Sequence, residues 1–231
     1  MKKILVVFSG GQDSTTCLIH YTHICEEVHC ITFDYEQLHK TEIESSLLIS
    51  KKLGITNHVV LDIKYLQDIS ISSLMNKNIS INSMHPLNSF LPSTFVPGRN
   101  ILFLILSSIY AYTHNINNIA LGVNEVDFSG YPDCTESFIK KINKVVRIGI
   151  NCNINFITPL INLNKSEIWA LSDYWNAVDI ILNDTVTCYN GIQGQGCKKC
   201  RSCIIRKKGF DTWKLNPSYY METLKKKIKL L

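Results

Sequence analysis

No apolar run in this chain is long enough to cross a bilayer, which excludes a membrane-spanning helix as its organising element. No secretory leader is expected, since Lys2-Lys3 leads straight into a short apolar stretch and a polar glycine turn. There is no internal repeat and no low-complexity tract beyond a general richness in Ile, Asn and Lys, so a repeat array is excluded. Charge is also sparse: charged residues make up 19% of the chain and the net charge is +5. Much of the excess lies in Lys198–Lys208 and Lys225–Lys229, which read as solvated helix ends rather than a nucleic-acid surface. What is present suffices for a substantial core, with 45% hydrophobic residues over 231 positions. Nine cysteines in a chain with no export signal point to a reducing, cytoplasmic setting, where clustered thiols serve metals rather than disulfides.

The first strongly patterned stretch is Ile4–Phe8, an unbroken apolar run that predicts a strand buried on both faces. Ser9-Gly10-Gly11 stops it, and Asp13, Ser14 and Thr15 supply capping oxygens at the start of an expected helix. Strand, glycine turn and helix N-terminus gather unpaired N–H groups around an anion. Gly10 and Gly11 let the main chain approach a phosphate, while Ser9, Ser14 and Thr15 add hydroxyl donors. No lysine follows the glycines, so this is not the Gly-x4-Gly-Lys loop that grips β/γ phosphates. Neutral donors beside an aspartate suit a pyrophosphate that must leave, with Mg2+ as mediator.

Further strands are expected at 28–35, 58–63, 118–123 and 155–160, with helices between, which predicts a doubly wound, mostly parallel α/β sheet. Helix 40–53 has Ile43, Leu47 and Leu48 at core spacing, and 101–112 is apolar nearly all round, as a buried helix is. Residues 67–93 break the rhythm and read as a lid or a partner-binding excursion. Asn100 is the expected cap of the 101–112 helix, and Asn164 with Glu167 forms a capping box for another. Arg99 and Lys165 therefore sit at helix N-termini, the wrong end for a cation unless an anion is shared. A polyphosphate between the two resolves both. The loop 124–134, at a strand's C-terminal end, carries candidate substrate contacts.

Cys188, Cys197, Cys200 and Cys203 form a C-x8-C-x2-C-x2-C set that predicts a tetrahedral ion, zinc before an iron–sulfur cluster. Four thiolates leave no open position, so the metal's expected role is structural. The division expected is an ATP-binding domain over 1–180 and a zinc-binding C-terminal region over 181–231.

Ser9-Gly-Gly-Gln-Asp-Ser14 resembles the PP-loop of the N-type ATP pyrophosphatases. Together with Phe95-Val-Pro-Gly-Arg-Asn100, Asp127-Phe-Ser-Gly-Tyr-Pro-Asp-Cys134 and the cysteine set, it resembles the 7-cyano-7-deazaguanine synthases of the queuosine pathway. That resemblance implies an adenine nucleotide alpha-hydrolase-like fold and a homodimer. It also implies an ATP-dependent conversion of 7-carboxy-7-deazaguanine and ammonia into the nitrile through an amide. On it, Phe8, Ser9, Gly10, Gly11, Gln12, Asp13, Ser14, Thr15, Thr16, Cys17 and Leu18 would bind ATP, with Asp13, Arg99 and Lys165 catalytic. Glu125, Asp127 and Asp133 are natural acceptors for the guanine-like edge, and Tyr131 a stacking partner. Two alternatives remain: a PP-loop enzyme modifying tRNA, and a non-catalytic ATP-binding zinc module. Tyr35-Glu-Gln-Leu-His39 departs from that family's Tyr-Gly-Gln-Arg/Lys-His, with Glu36 in place of a glycine and Leu38 in place of a cation. Thr135 stands where an arginine is common.

Overall fold

A computed structural model of the chain describes residues 2–126 and 130–228. In chain order the elements are β1 (Lys3–Val7), α1 (Gln12–Ile24), β2 (Glu27–Asp34), α2 (Thr41–Lys52), β3 (Asn57–Asp62) and α3 (Leu66–Ile69). A hairpin of β4 (Met84–His85) and β5 (Asn88–Pro92) precedes α4 (Arg99–Thr113), β6 (Asn118–Leu121), α5 (Glu136–Ile150) and β7 (Asn155–Ile157). The chain continues as α6 (Lys165–Tyr174), α7 (Val178–Asp184), α8 (Arg201–Leu215) and α9 (Pro217–Lys227).

The five expected strands form one parallel sheet in the order β3-β2-β1-β6-β7. Ile4, Leu5 and Val6 have no exposure at all, because parallel strands carry their crossover helices on both faces. One core centres on Ile4, Leu18, Ile168 and Trp169, the other on Leu5, Ile31, Ile119 and Val146. Strand order reverses between β1 and β6. A doubly wound sheet opens its ligand crevice there, at the strands' carboxyl ends.

Several expectations about helices are corrected. The cap of α1 is Gly11, with no side-chain bond, and not Asp13, Ser14 or Thr15, which lie inside the first turn. Gly98, in left-handed backbone, caps α4, so Asn100 belongs to that helix's first turn. The face α2 buries is Ser45, Ser46, Ile49 and Ser50, while Leu47 and Leu48 are exposed. These serines find partners: Ser45 Oγ donates to the Gly10 and Asp184 carbonyls at 3.1 and 2.6 Å, and Ser50 Oγ meets His58 at 2.8 Å. Nor is α4 wholly buried, for Ile101, Ile109 and Tyr112 face solvent. The Asn164–Glu167 capping box forms as expected. Within the irregular stretch 67–93 the antiparallel β4–β5 hairpin presents Leu87 and Phe90 to solvent.

Glu36 adopts φ +59° where the related pattern has glycine. A non-glycine residue in this region is strained by about 1–2 kcal/mol. The exposed 3.4 Å pair with Lys40 returns little of that. Glu36→Gly is expected to stabilise the chain by about 1 kcal/mol, measured as a higher urea midpoint at unchanged slope.

Candidate active site

The loop after β1 is fixed by elements far away in sequence. Gly10 takes φ +77°, and a Cβ there would lie 2.6 Å from the Glu42 carbonyl oxygen, so only glycine fits between β1 and α2. Its carbonyl accepts the Val186 N–H at 3.0 Å, and Thr187 Oγ1 accepts the Gln12 N–H at 3.0 Å. Gly122, just beyond β6, packs so close to the start of α1 that a Cβ would meet Ser14 N at 2.7 Å. The first-turn N–H groups of Asp13 and Ser14 have no acceptor within their own helix and face the crevice end of the sheet.

Polar atoms left without partners concentrate here. Of seven buried, unpartnered side-chain N or O atoms among the described residues, four belong to Gln12, Asp13 and Thr15. Buried polar groups are ordinarily hydrogen-bonded, so such a concentration marks a place completed by a ligand. Asp13 divides its carboxylate: Oδ2 pairs with Lys165 Nζ, while Oδ1 has no partner.

A cavity of about 340 Å³ joins this loop to a second wall. Phe8, Ser9, Gly11, Gln12, Asp13 and Ser14 line one side, with Lys165 and Thr187. Tyr35, Glu42, Arg99, Phe103 and Tyr131 line the other. The Arg99 guanidinium lies 5.6 Å from the Tyr35 ring centre and 5.7 Å from that of Phe103, and it donates to Tyr35 Oη at 3.4 Å. Burial works against its charge, but Tyr35, Tyr131 and Asp133 outweigh that and hold Arg99 above the usual arginine range. Burial also pushes the Tyr35 phenol up to about 12, so Tyr35 stays protonated. Tyr131 donates to Thr94 Oγ1 at 2.7 Å, which fixes its ring beside Phe95.

The expected site residues are thus distributed unevenly. Arg99 and Lys165 share one cavity with the loop, as their shared conflict with helix dipoles suggested. Thr16, Cys17 and Leu18 are buried and not on the cavity wall; Thr16 Oγ1 donates instead to the Gln12 carbonyl. Glu125 accepts the Glu136 N–H at 2.8 Å, at the start of α5, whose cap is Thr135. Asp133 is buried, its carboxyl raised by desolvation against the pull of Arg99, and it lies behind the lining. Asp127 lies outside the described residues. Glu42 and Thr187 were not singled out from sequence. An acid in the first turn of a helix reads as an ordinary dipole partner, and a threonine 175 positions from Gln12 gives no local signal.

The four thiols of Cys188, Cys197, Cys200 and Cys203 lie within 4.8 Å of one another. Burial opposes ionisation of Cys197, but the N–H groups of Cys200 and Lys199 outweigh it and bring the thiol down to about 6. An all-thiol set this tight fits zinc, which would find a closed four-sulfur shell there. The cluster is mechanically joined to the site. Thr187 immediately precedes Cys188, and Ser202 Oγ donates to the Thr187 carbonyl at 2.8 Å. Arg206, one turn beyond Cys203, donates to the Thr185 and Thr187 hydroxyls at 2.8 and 3.0 Å. Gly209 of α8 packs directly on Lys165. Lys227 of α9 reaches buried Glu167 at 2.8 Å, which locks the turn carrying Lys165.

Residues 3–214 match the family described as queuosine biosynthesis protein QueC. The chain belongs to the QueC family. A relative from Buchnera aphidicola subsp. Schizaphis graminum (strain Sg), named 7-cyano-7-deazaguanine synthase, is 66% identical over 227 residues, 98% of each chain. Among solved structures, a 4-thiouridine synthetase–RNA complex with bound ATP is similar at TM-score 0.50 and 15% identity. That likeness covers 97% of this chain and 53% of the other, and it speaks for the QueC chain's fold alone. No helix among the described residues is long and apolar enough to cross a membrane.

Proposed function

We propose that this QueC-family chain converts 7-carboxy-7-deazaguanine and ammonia into 7-cyano-7-deazaguanine, adenylating first the carboxylate and then the amide oxygen. The observation that carries the reading is the 66% identity, over 98% of the chain, to a protein named for that product. The cavity supports it, because it sets a lysine-free phosphate loop opposite an aromatic corner that contains an arginine.

A carboxylate is a poor electrophile, and adenylation supplies the leaving group it lacks. Phe8, Ser9, Gly11, Gln12, Asp13 and Ser14, which line the cavity, would bind ATP, with the loop amides, Ser9 and Ser14 holding the phosphates in line. The free Oδ1 of Asp13 fits magnesium, which when bound neutralises the departing pyrophosphate; Lys165 orients Asp13 and adds its own charge. Arg99 steadies the substrate carboxylate. Tyr131 stacks on the deazaguanine ring, and Asp127 is the acid of loop 124–134 left to read its donor edge, since Glu125 is engaged by the Glu136 N–H and Asp133 lies behind the lining. Residues 1–180 act as the nucleotide domain. Residues 181–231 brace it through zinc at Cys188, Cys197, Cys200 and Cys203. A cytoplasmic homodimer belongs to the same proposal.

The chain incubated with ATP, Mg2+, ammonium and 7-carboxy-7-deazaguanine is expected to give the nitrile, detected by mass spectrometry. Omission of any one component should abolish it. No nitrile with all four present would overturn the reading.

A further inference from the structure

The first turn of α2 places Glu42 on the cavity wall. Its backbone carbonyl abuts Gly10, and its side chain lines the same wall as Tyr35 and Arg99. It therefore stands between the loop that holds the phosphates and the corner that holds the ring. The atom being activated must lie between those two places, because adenylation joins one to the other.

The carboxylate of Glu42 takes part in no ion pair within 4.0 Å and no side-chain hydrogen bond among the described residues, although it sits at a helix N-terminus and in a cavity. Burial raises its pKa, with Arg99 pulling the other way, to about 7. A carboxylate kept for structure would have donors around it; this one faces the space that a substrate fills. Asp13 is engaged by Lys165, Glu125 by the Glu136 N–H, and Asp133 lies behind the lining.

We propose that Glu42 is the general base of the reaction, accepting one N–H proton in each half of the conversion from ammonia to nitrile. The inference rests on the reaction proposed above. In the first half, ammonia attacks the acyl adenylate and the new C–N bond leaves a cationic amine. Glu42 takes one N–H proton as the C–O bond to AMP breaks, and AMP carries off the electron pair. In the second half the amide oxygen attacks the α-phosphorus of ATP, and the departing pyrophosphate carries off the first of the two N–H protons, leaving a neutral imidate. Glu42 takes a proton from the resulting imidate nitrogen, the nitrogen electron pair closes the C≡N bond, and AMP leaves with the C–O pair. The two halves are separated by product exchange, which returns the Glu42 proton to solvent.

The test is Glu42→Gln, isosteric and unable to accept a proton. With zinc content and melting temperature unchanged, nitrile formation at saturating substrates is expected to fall about 10²- to 10⁴-fold, the usual contribution of a positioned base. KM for 7-carboxy-7-deazaguanine should change less than about threefold, and Glu42→Asp should recover part of kcat. Two results would overturn the role. One is Glu42→Gln turning over within about threefold of wild type. The other is a rise in KM at constant kcat, which would make Glu42 a reader of the ring's donor edge. If wild type itself makes no nitrile, the reaction assignment fails instead, and the variant need not be made to see it.

Discussion

Asp13→Ala is expected to lower kcat for nitrile formation by about 10²- to 10³-fold, with zinc content at the wild-type level. That is the usual cost of removing one preorganised charge partner from a transition state. Asp13 stands at two junctions. Its Oδ2 pairs with Lys165, and its buried Oδ1 has no partner among the described residues. Without the carboxylate, Lys165 is released from its position in the cavity, and the magnesium proposed above would lose a protein ligand. Alanine at this point, inside the first turn of α1, leaves helix and core intact, since alanine is the best helix former. Metal analysis and steady-state kinetics on the same preparation check the claim. Loss of zinc together with activity would make Asp13 a folding residue.

Cys203→Ala has the larger consequence for the whole molecule. Structural zinc sites carry on the order of 10 kcal/mol of apparent binding free energy, as much as a typical domain's entire stability of about 5–15 kcal/mol. Cys203 sits in the first turn of α8, and the same helix holds Arg206 against Thr185 and Thr187. Thr187 in turn receives the Gln12 N–H of the phosphate loop. Loss of the metal is expected to release residues 185–203 and to abolish nucleotide binding, although none of the four cluster cysteines lines the cavity. Chelation of wild-type protein should reproduce both effects, and zinc should restore them. The readouts are zinc stoichiometry, helical circular dichroism and ATP binding. ATP bound at wild-type affinity by the zinc-free chain would separate the cluster from the site.

The sheet was legible because its central parallel strand is written as a continuous apolar run, Ile4–Phe8, while the edge strand β3, none of it buried, still carries Val59, Val60 and Leu61 in sequence. The phosphate loop was legible for the same local reason, a strand ending abruptly in two glycines. Arg99 and Lys165 were legible through a conflict, each a cation at the positive end of a helix dipole. What sequence could not supply depends on packing between distant segments. Helix α2 turns serines inward because Ser45 serves Gly10 and Asp184 and Ser50 serves His58, a reversal of the apolar face that no spacing rule reveals. Asn100 resembles a cap, yet Gly98 takes that place because a left-handed residue was needed there. Glu42 looked like any acid early in a helix until the fold placed it between Gly10 and Arg99, with no ion-pair partner among the described residues.

The central claim is that a lysine-free loop holds ATP so that pyrophosphate departs, twice for each nitrile. Quantifying AMP, pyrophosphate and nitrile in a single reaction with limiting 7-carboxy-7-deazaguanine measures it directly. The account predicts AMP and pyrophosphate in equal amounts, each at twice the nitrile formed. Release of ADP and inorganic phosphate, or pyrophosphate formed at the same rate with the deazaguanine left out, would contradict it.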